Sequence, residues 1–187
     1  MIYAQHRNTL EDLIAIIFTK RGTQMIGIMS DSHDNLQAIE DAVAFFNEKK
    51  VTTVLHAGDI VSPFTARAFK NLDAKLYFVF GNNDGDKITL KQWFEEFGAE
   101  VCGDFGNITI DGRRIALLHG TNEAAVKALQ ESGDFDIVVR GHTHDVGVEN
   151  IKGTPVINPG ETSGVLTGKR TVALLDVAML DVEIVEL

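Results

Sequence analysis

The chain has one cysteine, Cys102, so it cannot close an internal disulfide, and nothing in it points to an oxidising compartment; a reducing cytoplasm is the expected location. It has no excess of basic residues. Seventeen Lys and Arg stand against 27 Asp and Glu, a net charge of −10, which argues against the basic surface that duplex nucleic acid requires. A small phosphorylated substrate stays open, because a metal cluster can reverse the sign of a single pocket. The N-terminal apolar run Leu13-Ile14-Ala15-Ile16-Ile17-Phe18 falls far short of the ~20 residues of a membrane span. Acidic Glu11 and Asp12 precede it, Lys20 and Arg21 follow it, and no small-residue cleavage pattern appears, so neither a secretory signal nor a membrane partner is expected.

There is no internal repeat, low-complexity tract or long linker, and 187 residues with 44% hydrophobic content suit one domain with a real core. We place it at residues 25–187, preceded by an extension, residues 1–24. Thr9 with Asp12 resembles a capping box, so the extension is expected to be helical, packed on the domain or on a neighbouring subunit of a homo-oligomer, with His6 exposed. Met25, where a compact domain would begin, leaves an upstream start codon as the other explanation.

The informative stretch is Ser30-Asp31-Ser32-His33-Asp34-Asn35, directly after the short apolar run Met25–Met29. The run reads as a buried strand, so Asp31 and His33 emerge where a strand ends, the place where open sheets with helical crossovers bind ligands. The arrangement recurs. Val51–Leu55 leads into His56-Ala57-Gly58-Asp59, Leu76–Phe80 into Gly81-Asn82-Asn83-Asp84, Arg113–Leu118 into His119-Gly120, and Asp136–Val139 into Arg140-Gly141-His142-Thr143-His144. Between them, helical spacing predicts helices over 35–50, from Pro63, over 89–97 and from about Thr121 to before Gly133, with Asp34 or Asn35 capping the first. The first half implies parallel pairing through right-handed crossovers. A hairpin at Asp111-Gly112 and a final strand pair, 171–176 and 181–185, suggest an antiparallel second half.

Asp31, His33, Asp59, Asn82, His119, His142 and His144 are therefore candidate metal ligands, and they include four of the six histidines. Imidazole, carboxylate and amide donors suit Mn, Fe, Zn, Co or Ni, whereas a structural zinc site would need absent thiolates. Seven donors exceed one such ion and suit two that share a carboxylate. Two histidines at i and i+2 point the same way on a strand, so spacing leaves open how the donors divide.

In order, these motifs read D-x-H, G-D, G-N, H-G and G-H-x-H, and the chain resembles the calcineurin-like metallophosphoesterases, specifically their small prokaryotic phosphodiesterase branch. The resemblance implies a four-layer αββα sandwich, an α/β fold of two mixed β-sheets flanked by helices. It implies a first metal on Asp31, His33 and His144, a second on Asn82, His119 and His142, and Asp59 bridging both. It implies a phosphodiesterase acting on a small or nucleotide-like diester, with Mn2+ as the expected metal and Asn82, Asp59 and His119 acting through the metals. Two ions at ~3.5–4 Å generate a hydroxide at neutral pH and clamp an in-line displacement at phosphorus. Two carboxylates with neutral Asn82 and histidines leave two divalent ions with excess positive charge.

Many relatives carry a histidine after the G-N pair. Here Asn83 and Asp84 follow, the leaving-group acid is unassigned, and Asp84 is a candidate. Glu161 stands where the family's N-P-G-S turn has serine, which weakens the case for a substrate contact there. His56 is expected to hydrogen-bond locally on a buried strand, and Phe45, Phe46, Trp93 and Phe94 to be core rather than a base-stacking platform. Ser163–Lys169 lacks the first glycine and final hydroxyl of a phosphate loop. The competing readings are a non-catalytic interaction scaffold, the use a retromer subunit makes of this fold, and a metal-dependent nuclease.

Overall fold

A computed structural model describes residues 24–187. The expected N-terminal helix and His6 lie outside the described residues. Eleven strands form two sheets among the described residues. The six-stranded sheet contains β1 (Met25–Met29), β2 (Thr53–His56), β3 (Lys75–Phe78), β4 (Glu100–Val101), β10 (Thr171–Asp176) and β11 (Asp181–Glu186), in the order β11-β10-β1-β2-β3-β4. The five-stranded sheet contains β5 (Phe105–Ile110), β6 (Arg113–Leu118), β7 (Ile137–Val139), β8 (Val146–Ile151) and β9 (Thr154–Pro159), in the order β5-β6-β7-β9-β8. β1, β2, β3 and β4 pair in parallel, and β10 returns antiparallel beside β1.

The second half is mixed rather than antiparallel: β6, β7 and β9 run parallel, with β5 and β8 antiparallel at the edges. The cause is the helix between β6 and β7, which makes a crossover where a hairpin would have reversed the chain. The two-residue strand β4 is too short to leave an apolar pattern, and it was not expected.

Three apolar layers define the sandwich. Ile26, Ile28, Leu55, Ile115, Leu117, Val139 and Ile157 fill the space between the sheets. Helices α1 (Leu36–Glu48) and α2 (Lys87–Glu96), with a 3-10 helix (Pro63–Phe69), cover the outer face of the larger sheet through Ile39, Phe46, Phe69 and Phe94. Helix α3 (Glu123–Ser132) covers the smaller sheet through Val126, which packs with Ala116, Val138 and Val156. Phe46 and Phe94 are fully buried, and Phe45 and Trp93 pack at the edge of the same cluster, as expected for core residues. Asn35 caps α1, its side chain accepting from the Ala38 N–H. No helix among the described residues is long and apolar enough to cross a membrane.

Candidate metal centre

The loops that follow β1, β2, β3, β6 and β7 meet at one end of the sandwich, and main-chain hydrogen bonds stitch them together. The N–H groups of Asp31, His33 and Asp34 donate to the carbonyls of Gly58, Asp59 and Ile60 at 3.0, 3.0 and 3.2 Å. Gly141 N–H donates to the His119 carbonyl at 3.1 Å, and Thr162 and Ser163 donate back to Ser30 and Asp31. The candidate ligands hang from this lattice in a strained conformation. Asp31, His33, Asp59, His142 and His144 all have positive φ, between 41° and 75°. An L-residue in that region costs about 1–2 kcal/mol, and such outliers cluster where function over-determines the backbone.

All seven candidates are brought together. Asp31 and Asp59 are almost wholly buried, and His119 and His144 nearly so. The His144 Nε2 lies 3.4 Å from Asp31 Oδ1 and 3.4 Å from His33 Nε2, and the latter lies 3.8 Å from Asp59 Oδ2. The His119 Nε2 lies 3.3 Å from Asp59 Oδ2 and 3.1 Å from Asn82 Oδ1. His142 stands at the margin, its ring centroid 5.1 Å from that of His119, with a buried Nδ1 that has no hydrogen-bond partner.

The back faces of two rings fix what their front faces offer. His119 Nδ1 donates to the Ala57 carbonyl at 2.7 Å, and His144 Nδ1 donates to the buried Glu161 carboxylate at 2.8 Å. In the neutral imidazole the Nε2 of each ring then carries a lone pair, aimed at carboxylate and amide oxygens that are themselves acceptors. Lone pairs crowded at 3.1–3.4 Å repel unless a cation lies among them, and Asp31 Oδ1 is buried with no hydrogen-bond partner at all. The donors Asp31, His33 and His144 form one group able to hold an ion, and Asp31, Asp59 and His119 another. The residues fit the metals that the motifs imply.

Charge reinforces that reading. Burial raises the Asp31 carboxyl above its usual range. Burial also opposes ionisation of Asp59, yet hydrogen bonds from His119 and Asn83 outweigh it and hold that carboxyl well below the usual range. His119 loses stability as a cation through burial, but its bond to Asp59 more than compensates and raises it.

Four supporting residues were missed or misjudged from sequence. Asn83 donates its main-chain N–H and its amide to the two oxygens of Asp59 at 2.8 and 2.7 Å. Asp84, the candidate leaving-group acid, is corrected to a loop anchor: it is 4% exposed and accepts the N–H groups of Gly81, Val61 and Asp59 at 2.6, 2.6 and 3.1 Å. Both its oxygens are turned to main-chain donors rather than to the cluster. Arg140 joins the two histidine loops, donating to the carbonyls of Gly120 and Gly141 while Glu123 neutralises it at 2.6 Å. Glu161 is the back support of His144. Only a carboxylate one residue past Pro159-Gly160 signalled it, and sequence does not show which way that turn faces. Next to Asn82 and His119 opens a cleft of about 370 Å3, walled by Phe80, Lys87, Leu118 and Thr121.

Residues 25–179 match the calcineurin-like phosphoesterase superfamily domain. The chain belongs to that superfamily. A phosphodiesterase of Methanocaldococcus jannaschii is 41% identical to it over 152 residues, covering 81% of this chain and 92% of that protein. The solved structure of an archaeal phosphodiesterase superposes with a TM-score of 0.84 at 39% identity, covering 87% of this chain and 99% of that one. Vps29 of Chaetomium thermophilum, 16% identical with a TM-score of 0.65 over 87% and 95% of the two chains, shares the fold alone. This calcineurin-like chain is thus an α/β sandwich of the phosphoesterase type, with residue groups able to hold divalent metal.

Proposed function

We propose that the protein is a metal-dependent phosphodiesterase that hydrolyses small or nucleotide-like phosphodiesters. The observation that carries this reading is the pair of lone-pair clusters, His144, His33 and Asp31 on one side and His119, Asp59 and Asn82 on the other, whose close acceptors a cation would reconcile. Asp31, His33 and His144 would hold one ion, Asn82, His119 and His142 the other, and Asp59 would bridge them. When bound, two divalent ions supply a hydroxide at neutral pH and neutralise the phosphoryl oxygens for in-line displacement. Mn2+ is the expected ion, with Ni2+, Fe2+, Zn2+ and Co2+ sharing the donor preference.

The chain's own groups do the rest. Ala57 and Glu161 hold the His119 and His144 rings so that each Nε2 faces inward. Asn83 keeps both Asp59 oxygens placed. Asn82 contributes an oxygen without a charge, which preserves the electrophilicity of the site. The cleft beside Asn82 and His119 gives one organic arm of the diester a place to lie. Asp84 and Asn83 are committed to the loop and to Asp59, so neither is placed to protonate the leaving oxygen. Esters with acidic leaving groups are therefore the favoured substrates.

The scaffold reading would make the ligand set dispensable, and here all seven residues are present and gathered. The nuclease reading must contend with a net charge of −10. The test is hydrolysis of bis(4-nitrophenyl) phosphate with Mn2+, before and after chelation. Turnover that chelator abolishes and Mn2+ restores supports the proposal. Absence of turnover with every divalent ion, in a protein that binds a protein partner tightly, would replace it with the scaffold.

A further inference from the structure

We infer that Glu161 is a positioning residue whose two carboxylate oxygens tie His144 and the exposed strap Val165–Thr167 to one anchor, coupling the order of the strap to metal affinity on the His144 side of the site. The inference rests on the metal-binding part of the proposed function and not on turnover.

Glu161 has no solvent exposure, and both its oxygens are fully engaged. Oε2 accepts from His144 Nδ1 at 2.8 Å, from Ser163 Oγ at 3.0 Å and from Leu166 N–H at 3.2 Å. Oε1 accepts from Leu166 N–H at 2.9 Å, from Thr167 N–H and from the Thr167 hydroxyl at 2.7 Å. Burial of an isolated carboxylate costs several kcal/mol, and only a full set of donors sustains it. Every partner of the two oxygens is an N–H or O–H group, so the carboxylate acts as acceptor throughout, and His144 meets it through an Nδ1–H that leaves Nε2 free to face Asp31 and His33.

The strap is joined to the site at its root as well. Ser163 N–H donates to the Asp31 carbonyl at 3.2 Å, and Asn35 Nδ2 donates to the Ser163 carbonyl at 2.8 Å. Its tip carries Val165 and Leu166, 66% and 73% exposed. A displacement of Leu166 or Thr167 draws on the carboxylate that orients His144, and withdrawal of His144 frees an oxygen that the strap would otherwise share. The two segments are distant in sequence and meet at one residue.

The probe is Mn2+ alone, titrated calorimetrically into the protein and its variants. Glu161→Ala is expected to weaken binding roughly 10–100-fold on one side of the site, the usual effect of losing the group that orients a metal-bound histidine. Nitrogen-15 spectra of the metal-free protein should show the His144 Nδ1–H tautomer lost while that of His119 persists, and the Leu166 and Thr167 amides should exchange faster with solvent. Glu161→Gln keeps one acceptor oxygen and should recover part of the affinity. Thr167→Val, which leaves Glu161 and His144 untouched, should speed strap exchange and still weaken Mn2+ binding several-fold. Wild-type affinity and tautomer in a folded Glu161→Ala would overturn the positioning role. A loosened strap with unchanged affinity in Thr167→Val would overturn the coupling, and that variant carries the test if Glu161→Ala does not fold. Failure of the unmodified protein to bind Mn2+ would instead remove the metal-dependent reading, and with it the affinity coupling.

Discussion

His56 makes the protein sensitive to acid in a way that can be worked out beforehand. It ends β2, is fully buried, and uses both ring nitrogens: Gly58 N–H donates to Nδ1 at 3.1 Å, and Nε2–H donates to Ser32 Oγ at 2.9 Å. That pattern requires the neutral ring. Burial, together with repulsion from His119 and His33 and only partly offset by Asp59, lowers its pKa from 6.5 to about 3. A histidine lowered on folding takes up protons first in the unfolded chain, so its contribution is full above 6.5 and is lost as pH falls toward 3. Down to about pH 5 the size depends on the unfolded value alone, and integrating the proton linkage from about pH 7.5 to about pH 5 gives a loss of about 2 kcal/mol. The assay is urea unfolding at both pH values with chelator present, on the wild type and on His56→Gln, which cannot titrate. The wild type should lose about 2 kcal/mol more than the variant across that interval, and the His56 ring should stay neutral by NMR at the lower pH. Parallel losses in the two proteins, or a His56 that titrates near 6.5 in the fold, would refute the reasoning.

Two substitutions examine the scaffold of the ligands. Asp84→Asn deprives three N–H groups, two of them buried, of a charged acceptor and should destabilise by about 1–3 kcal/mol in urea unfolding. The pH–rate profile of the residual activity should keep its shape, because both Asp84 oxygens are turned to the loop, and loss of one limb would reinstate it as the acid. Gly81→Ala would place a Cβ on the Asp59 carboxylate and against its main-chain nitrogen, 2.5 Å away. Mn2+ uptake should fall at least roughly tenfold while far-ultraviolet circular dichroism is unchanged, and normal uptake would show that Asp59 can move without harm.

The elements that sequence revealed are those whose physics is local. β1, β2 and β3 are short apolar runs closed by polar turn residues, and α1 repeats apolar side chains at Leu36, Ile39, Val43 and Phe46 behind the cap Asn35. Their chemistry-bearing ends were legible for the same reason, since a carboxylate or histidine directly after such a run must sit at a strand end. The directions of β7 and β9 were not legible. Direction follows from where α3 and the hairpin β8–β9 pack, a contest between neighbours that three apolar residues in a row do not record. The roles of Asn83, Asp84, Arg140 and Glu161 were hidden too. Each acts on a partner through the angle of its loop, and Glu161 meets His144 only because 17 residues of hairpin return to the same edge.

A carboxylate-rich protein gains a site for an anion by a particular division of labour. Asp31 and Asp59 face the ligand cluster, whereas Asp84 and Glu161, buried as well, spend their charge on N–H groups and on the rear of a ring. With two divalent cations held as proposed, these two inward carboxylates would leave an excess of positive charge, and the local field would favour phosphate although the chain carries −10 overall. Five candidate ligands at positive φ belong to the same design, because left-handed residues turn the chain sharply enough for near neighbours on one loop, Asp31 with His33 or His142 with His144, to face the cluster together. The strain is tolerated because the backbone bonds among the loops, and the carboxylate anchors behind them, leave each residue no easier conformation. A site of this kind should consequently lose metal when an anchor is removed well before it loses its fold.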